Sequence, residues 1–327
     1  MTARYKVLKP EDLTNTHGVR PFAMDVLNGL SETPKHLPSR WIYDEAGSML
    51  FKDICDLDEY YQTRTEAAIL EAHADAILNA TGEGPLAIVD LGAGDGRKTN
   101  ILLDAVAGRD TRFVPIDISE SAMVELCDNT AKRFPKLQVN GLVSDYFDGI
   151  QWLSGQSKRR KLVLFLGSNI GNFSVVQARN FLRQLWDSLD DGDIVLMGFD
   201  MKKDIELLLA AYNDREGVTA KFSLNLLSRI NNELGANFDT SAFRHFATYN
   251  VFSGAMESYL VSLKEQDVYV GHLKQSFHFD SWEPIHTEYS YKYLDSDISK
   301  LAKQTGFEMM EQFTDGKKWF TDSLWRV

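Results

Sequence analysis

Three glycines at alternate positions, Gly92, Gly94 and Gly96, follow an apolar run, Leu86 to Val89, that ends at the acid Asp90. Glycine at a strand-to-helix turn admits positive φ and lets a ligand lie against bare backbone. The segment Lys98 to Val106 then places Ile101, Leu102 and Val106 at helical spacing. The pattern is G-x-G-x-G, not the G-x-G-x-x-G of the dinucleotide fingerprint. A second acid, Asp117, ends the next apolar run, Arg112 to Ile116. A tight turn with two structural acids is the bland alternative: Asp90 bonding the loop backbone, and Asp117 capping the helix behind it.

The elements that must hold this turn alternate. Strands are expected at Leu86 to Val89, Arg112 to Ile116, Leu137 to Val143 (reaching Asp145), Lys161 to Leu166 and Asp193 to Phe199. Helices are expected from Lys98 to Val106, from the cap Ser119 to Phe134 before Pro135, and after Ser174, with Gln177 completing a capping box. Such alternation predicts an α/β fold, a parallel sheet with helices on both faces and ligands at the carboxyl ends of the strands. Gly92, Asp117, Asp145 and Gly167 all fall at such ends.

Upstream, Phe22 to Gly29 reads as a short helix, and Trp41 to Tyr61 is dense in aromatics and acids without a clean period. Thr63 to Glu66 reads as a capping box opening a helix through Asn79. Beyond Asp200 the pattern changes. Helices are expected at Lys203 to Tyr212 and Phe222 to Leu234, and a hairpin joins Ala255–Leu263 to Asp267–Val270 across Lys264 to Gln266. Further strands are expected at Ser276 to Trp282 and Thr287 to Lys292. A helix (Ile298 to Gln304) and strands near Glu308–Gln312 and Trp319–Trp325 follow. The acid-rich Leu189 to Asp193 reads as a solvated turn. Residues 62–201 and 293–327 are assigned to the sheet domain, and 1–61 and 202–292 to a smaller α+β lobe.

The chain has 327 residues, 44% hydrophobic and 25% charged, so it can bury a sizeable core. A net charge of −12 argues against binding nucleic acid, which favours a basic face. Cys55 and Cys127 supply neither a disulfide framework nor a metal spacing, and the seven scattered histidines suggest no metal site. No apolar run of membrane-spanning length and no signal-peptide core is visible, so a cytoplasmic protein without a membrane partner is expected. Oligomeric state is not legible.

The glycine turn with Asp90 and Asp117 resembles motif I and the following acidic strand end of S-adenosylmethionine-dependent methyltransferases. The resemblance implies that the loop binds the methionine part of S-adenosylmethionine and that Asp117 accepts from the ribose hydroxyls. A narrower resemblance rests on YDEAGSMLF (43–51), EYYQTRTE (59–66), FLGSNIGNF (165–173), LLAAYNDREGVTAKFSLNLLSRIN (208–231) and HTEYSYK (286–292). Together they look like the histidine Nα-methyltransferases of ergothioneine biosynthesis, from about residue 20 onward. Fungal dimethylallyltryptophan N-methyltransferases resemble these stretches less closely. The fold implied is a Rossmann-like class I S-adenosylmethionine methyltransferase sheet with a second, smaller substrate lobe. The activity implied is threefold methylation of the histidine α-amine, giving the betaine hercynine.

Carried over by motif, the cofactor residues are Gly92, Gly94 and Lys98, Asp117 for the ribose, and Asp145 with Tyr146 beside the adenine. Asn172 and Tyr212 match residues that hold the α-amino and carboxylate groups. Tyr43 and Tyr60 match aromatics beside the substrate, with Phe51 and Gly167 lining the pocket. Glu288 and Ser290 match the pair that binds the imidazole. Three positions depart from the pattern: Tyr146 replaces phenylalanine, Asn169 a threonine, and Ser258 a methionine expected to pack on the substrate side chain. Composition alone reads Tyr212 as a core tyrosine, Glu288 as a strand acid on a solvated face and Asp145 as a turn acid.

The chemistry implied suits these residue types. Methyl transfer from a sulfonium is an in-line displacement governed by positioning. The amine must be neutral to attack, and no histidine or lysine occupies the matched motifs near it, so no dedicated strong base is expected. Aromatic faces at Tyr43, Phe51 and Tyr60 would tolerate the quaternary product through cation–π attraction, about 0.5–2 kcal/mol each. A different α-amino acid or modified histidine is the alternative raised by Ser258. A non-catalytic module that binds S-adenosylmethionine is a second. A nucleic-acid methyltransferase is disfavoured by charge and by the absence of an N/D-P-P-Y/F tetrapeptide.

Overall fold

The computed structural model describes residues 5–7, 21–106, 108–153 and 159–327. Strands are numbered in chain order: β1 (Tyr5–Val7), β2 (Leu86–Leu91), β3 (Thr111–Asp117), β4 (Gln138–Val139), β5 (Gly141–Val143), β6 (Arg160–Phe165) and β7 (Ile194–Asp200). After them come β8 (Phe243–Asn250), β9 (Ala255–Ser262), β10 (Gln266–Val270), β11 (Gln275–Phe279) and β12 (Pro284–Tyr291), then β13 (Glu308–Thr314) and β14 (Phe320–Arg326). The chain divides into two compact units. One contains β1, Gln62–Lys202 and Tyr291–Val327; the other contains residues 21–61 and Lys203–Ser290.

The first unit is built on a sheet in the order β1-β5-β3-β2-β6-β7-β14-β13, with β4 also on β3. Pairing is parallel from β1 through β7, and β14 and β13 add antiparallel. This is a Rossmann-like α/β sheet. The winding reverses between β2 and β6, so the crevice beyond their carboxyl ends is where a ligand is expected. Both faces are buried, which is why the strands read as continuous apolar runs. Val89, Leu91, Val163, Phe165, Val195 and Met197 point to one core, under the helices Val175–Asp187 and Asp295–Thr305. Ile88, Leu86, Leu162, Leu164, Ile194 and Leu196 point to the other, under Gln62–Ala80 and Thr99–Ala105. Truncating one of these to alanine, Leu196 for example, would cost about 2–5 kcal/mol.

Several expectations need correcting. Residues 1–61 were assigned to the smaller lobe, yet Tyr5–Val7 pairs with Gly141–Val143 and joins the first unit. An extended segment can add to an exposed sheet edge through backbone bonds, with little trace in side-chain pattern. Leu189 to Asp193 is not simply a solvated turn. Asp193 is buried and accepts from the buried Lys161 ammonium at 2.8 Å, while Asp190 accepts from the same group at 2.7 Å. Thr63 caps nothing: the helix begins at Gln62, and Glu66 is fully buried in its second turn.

The second unit carries the helices Pro21–Ser31, Glu45–Cys55, Ile205–Tyr212 and Val218–Leu234, a three-stranded sheet β12-β9-β8, and the ribbon β10-β11. The expected hairpin of β9 with β10 does not form. β9 pairs antiparallel with β8 instead, and β10 pairs with β11. The β8–β9 connection turns at Gly254, φ +72°, a conformation glycine adopts without steric cost. In the aromatic stretch without a clean period, Asp44 caps the helix Glu45–Cys55 by accepting from the Gly47 N–H at 2.7 Å. Among the described residues no helix is long and apolar enough to cross a membrane.

Candidate active site

In the first unit the glycine turn is a backbone cradle. Gly92, Gly94 and Gly96 have φ of +80°, +53° and +71°. A Cβ on Gly92 would lie 2.8 Å from the Tyr146 hydroxyl and 2.9 Å from the Asn169 amide nitrogen, whereas one on Gly94 would meet no heavy atom within 4 Å. The turn is therefore walled on one side and open on the other. Asp117 fixes it: one carboxylate oxygen accepts from the Gly94 N–H at 2.9 Å and the other from the Ser119 N–H at 3.0 Å. Burial raises its pKa above the usual carboxylate range, with the backbone N–H groups opposing. Each oxygen keeps a further lone pair, which suits hydroxyl donors of a ribose.

Asp90 is buried at the end of β2 and accepts from the Thr99 hydroxyl. Burial pushes its carboxyl up to about 7, against the pull of Thr99 and Lys98. Its role is local, tying strand end to helix start. Asp145 accepts from the Asp148 N–H at 3.0 Å and so caps the helix Tyr146–Leu153. Tyr146 stands edge-on to Phe165 at 5.2 Å and to Phe181 at 6.2 Å, a rigid aromatic support beside Gly92.

The loop after β6 is the second feature of this unit. Gly167 has φ +76° and Ser168 φ +56°, and the turn Asn169–Asn172 follows. The Ser168 hydroxyl accepts from the Asp200 N–H at 3.0 Å. The Gly167 N–H is held by both oxygens of Glu66, at 2.8 and 2.9 Å, and Lys98 donates to Glu66 at 2.6 Å. Glu66 was not singled out from the sequence, because an acid three residues beyond Thr63 reads as a cap partner. Lys98, Gly167, Asn169 and Asn172 thus lie on connected elements at one edge of the sheet.

In the second unit the aromatics form one group. Tyr43 stands T-shaped to Phe51 at 5.5 Å and to Phe222 at 5.4 Å, and Phe51 T-shaped to Tyr60 at 6.2 Å. Phe222 carried no sequence signal beyond its place on an apolar helix stripe. Tyr60 is buried, which raises its phenol well above the usual value; Tyr212, Cys55, Tyr43 and Glu288 push in the same direction. Tyr60 therefore gathers Tyr43, Tyr212 and Glu288 around it. The Tyr212 hydroxyl donates to the Ser290 hydroxyl at 2.7 Å. Glu288 and Ser290, two apart on β12, share a face of the strand. Ser258 is buried on β9 opposite Ala247, and its carbonyl accepts from the Thr287 hydroxyl at 3.0 Å.

The residues matched by motif fall into two groups. Gly92, Gly94, Lys98, Asp117, Asp145, Tyr146, Gly167, Asn169 and Asn172 belong to the first unit; Tyr43, Phe51, Tyr60, Tyr212, Ser258, Glu288 and Ser290 belong to the second. The first group has what S-adenosylmethionine requires: an open glycine turn, a fixed carboxylate and an aromatic wall.

A family profile described as histidine-specific methyltransferase, SAM-dependent, matches residues 22–327. Histidine N-alpha-methyltransferase of Mycobacterium tuberculosis is 37% identical over 89% of this chain and 90% of its own length. The protein of the same name from Mycolicibacterium smegmatis is 36% identical over the same shares. Ergothioneine biosynthesis protein 1 of Neurospora crassa is 31% identical over 88% of this chain and 32% of its own length. With the parallel sheet, the glycine turn and its acids in place, the chain belongs to the family of histidine-specific, S-adenosylmethionine-dependent methyltransferases.

Proposed function

We infer that this protein methylates the α-amino group of L-histidine, three times in succession, to the betaine hercynine, as a step of ergothioneine biosynthesis. The observation that carries this reading is the match of residues 22–327 to a histidine-specific family. S-Adenosylmethionine, held by Gly92, Gly94, Lys98, Asp117, Asp145 and Tyr146, supplies an electrophilic sulfonium methyl.

The remaining chemistry falls to the chain's own side chains. Tyr60 stays protonated because burial raises its phenol, so it serves as a hydrogen-bond donor and wall, not as a base. In this reading Asn172 is the amine's neutral partner, and the rings of Tyr43, Phe51 and Tyr60 supply apolar surface. Both features favour the neutral amine over the ammonium, since burial disfavours charge. The same rings face a growing cation as methyl groups accumulate, an attraction of about 0.5–2 kcal/mol per ring. Glu288 accepts an imidazole N–H, and Ser290, itself accepting from Tyr212, donates to the other ring nitrogen. An apolar side chain in that place would offer Glu288 no N–H, forgoing a hydrogen bond to a charged group worth about 1.5–3 kcal/mol.

Gly167, Asn169 and Ser258 are assigned to the acceptor in this reading, and Ser258 favours an alternative, a different α-amino acid or modified histidine. The protein acts on a small molecule, and its net charge of −12 suits neither nucleic acid nor an anionic membrane. Cys55 and Cys127, neither of them in a disulfide, fit a reducing cytoplasm. The test is release of S-adenosylhomocysteine across a panel of amino acids. Turnover with histidine above all others supports the reading. Turnover with another amino acid and not histidine transfers the function to it, and binding without turnover on any amine leaves a non-catalytic module.

A further inference from the structure

Two carboxyl groups are buried together beneath the Gly167 loop, and neither the turn nor the aromatic group accounts for the second. Glu66 takes three donations: the Gly167 N–H to both its oxygens and the Lys98 ammonium at 2.6 Å. Its oxygen also lies over Gly198 so closely that a Cβ there would be 2.1 Å away. Gly198 is the register partner of Asp322 on β14, so Glu66 sits beside Asp322. Asp322 is fully buried, and neither of its oxygens has a donor among the described residues. An O–H on it would have Glu66, on the same face at Gly198, as its acceptor.

Two ionised carboxylates at this depth with one lysine would leave a net buried negative charge, which is strongly unfavourable. Two carboxylates also cannot hydrogen bond to each other unless one carries a proton. Glu66 already accepts from Lys98 and from the Gly167 N–H, whereas no donor among the described residues reaches either oxygen of Asp322, so the proton of the pair is assigned to Asp322. We propose that Asp322 is a positioning residue, whose protonated carboxyl donates to Glu66 and so lets Glu66 hold Lys98 and the Gly167 loop together. Burial, with Glu66 adding to it, raises the Asp322 carboxyl well above its usual range, while Lys98 opposes. A further charged neighbour of the node is Asp90, which interacts with Glu66 and Lys98. The node links a cofactor-side residue, Lys98, to the loop that carries Asn169 and Asn172. It rests on the family's cofactor, not on histidine as acceptor.

The test uses S-adenosylmethionine affinity by calorimetry on the full chain, at a temperature where each variant is folded, together with infrared spectra at neutral pH. Asp322→Asn replaces the O–H donor with an N–H donor and should change the dissociation constant less than threefold. Asp322→Ala removes the donor and should weaken binding at least tenfold. The difference spectrum of wild type minus Asp322→Asn should contain the carbonyl stretch of a protonated carboxylic acid. If Asp322→Ala does not fold, Glu66→Gln replaces it in the binding comparison, with the same tenfold loss expected. Unchanged affinity in Asp322→Ala (or in its replacement), a large loss in Asp322→Asn, or a difference spectrum with only carboxylate bands would overturn the proposal. None of these results depends on which amine is methylated.

Discussion

The Tyr212 hydroxyl donates to the Ser290 hydroxyl at 2.7 Å, joining the end of a helix to the face of β12 that also bears Glu288. A hydroxyl that already accepts is strengthened as a donor. In the proposed reading Ser290 donates to the unprotonated imidazole nitrogen and Glu288 accepts from the protonated one. Replacing Tyr212 with phenylalanine removes this bias at a cost of about 0.5–1.5 kcal/mol. Steady-state kinetics should show a several-fold higher KM for histidine, with calorimetric affinity for S-adenosylmethionine unchanged.

Glu288→Ala removes a charged acceptor, worth about 1.5–3 kcal/mol to the imidazole. Histidine binding should weaken by about one to two orders of magnitude at 1.4 kcal/mol per decade, and S-adenosylmethionine binding should not. Equal losses for the two would remove Glu288 from the imidazole site.

Tyr60 bears on the pH profile. Since burial holds its phenol protonated well above the usual range, it does not titrate within the working window. The rise of kcat/KM with pH should then follow the substrate's own ammonium, and Tyr60→Phe should keep the position of that limb while lowering its plateau. Loss or displacement of the limb in Tyr60→Phe would identify the phenol as a base.

How much of this was legible in the sequence depended on whether a residue's partner was local. The glycine turn, the Ser174 capping box and the β2–β7 alternation are short-range signals, and the structure has all three. The β8–β9 hairpin was missed although its turn, residues 251–254, is local. Phe243–Asn250 is half-exposed and mixes Arg244, His245, Thr248 and Asn250 with its apolar residues, so no strand was read there and β9 was joined across Lys264–Gln266 instead. Glu66 was misread because its partners are distant. Its partners are Lys98 and Gly167, 32 and 101 positions away, and nothing in Thr63 to Glu66 marks a buried ion. The grouping of Phe222 with Tyr43 and Phe51 likewise depends on a helix that begins far along the chain.

Asp90 supplies a stability test. Its carboxyl lies at about 7 in the folded chain, against about 3.9 unfolded. Between these values the folded state binds more protons, so stability falls as pH rises from about 4 to about 7 and the contribution is constant above that. Lys98, Glu66, Asp117 and Thr99 surround it, so the readout is the difference between wild type and Asp90→Asn. The variant's melting temperature should gain on wild type across that interval and run parallel above it. A constant offset from pH 4 upward would show Asp90 to be ionised throughout.

The most direct measurement is tandem mass spectrometry of histidine incubated with the protein and S-adenosylmethionine, with fragmentation placing each methyl group. The account predicts histidine carrying one, two and finally three methyl groups on the α-nitrogen, with an unmodified imidazole. Methyl groups on the ring, or no methylated histidine while S-adenosylmethionine is consumed with another amino acid, would contradict it.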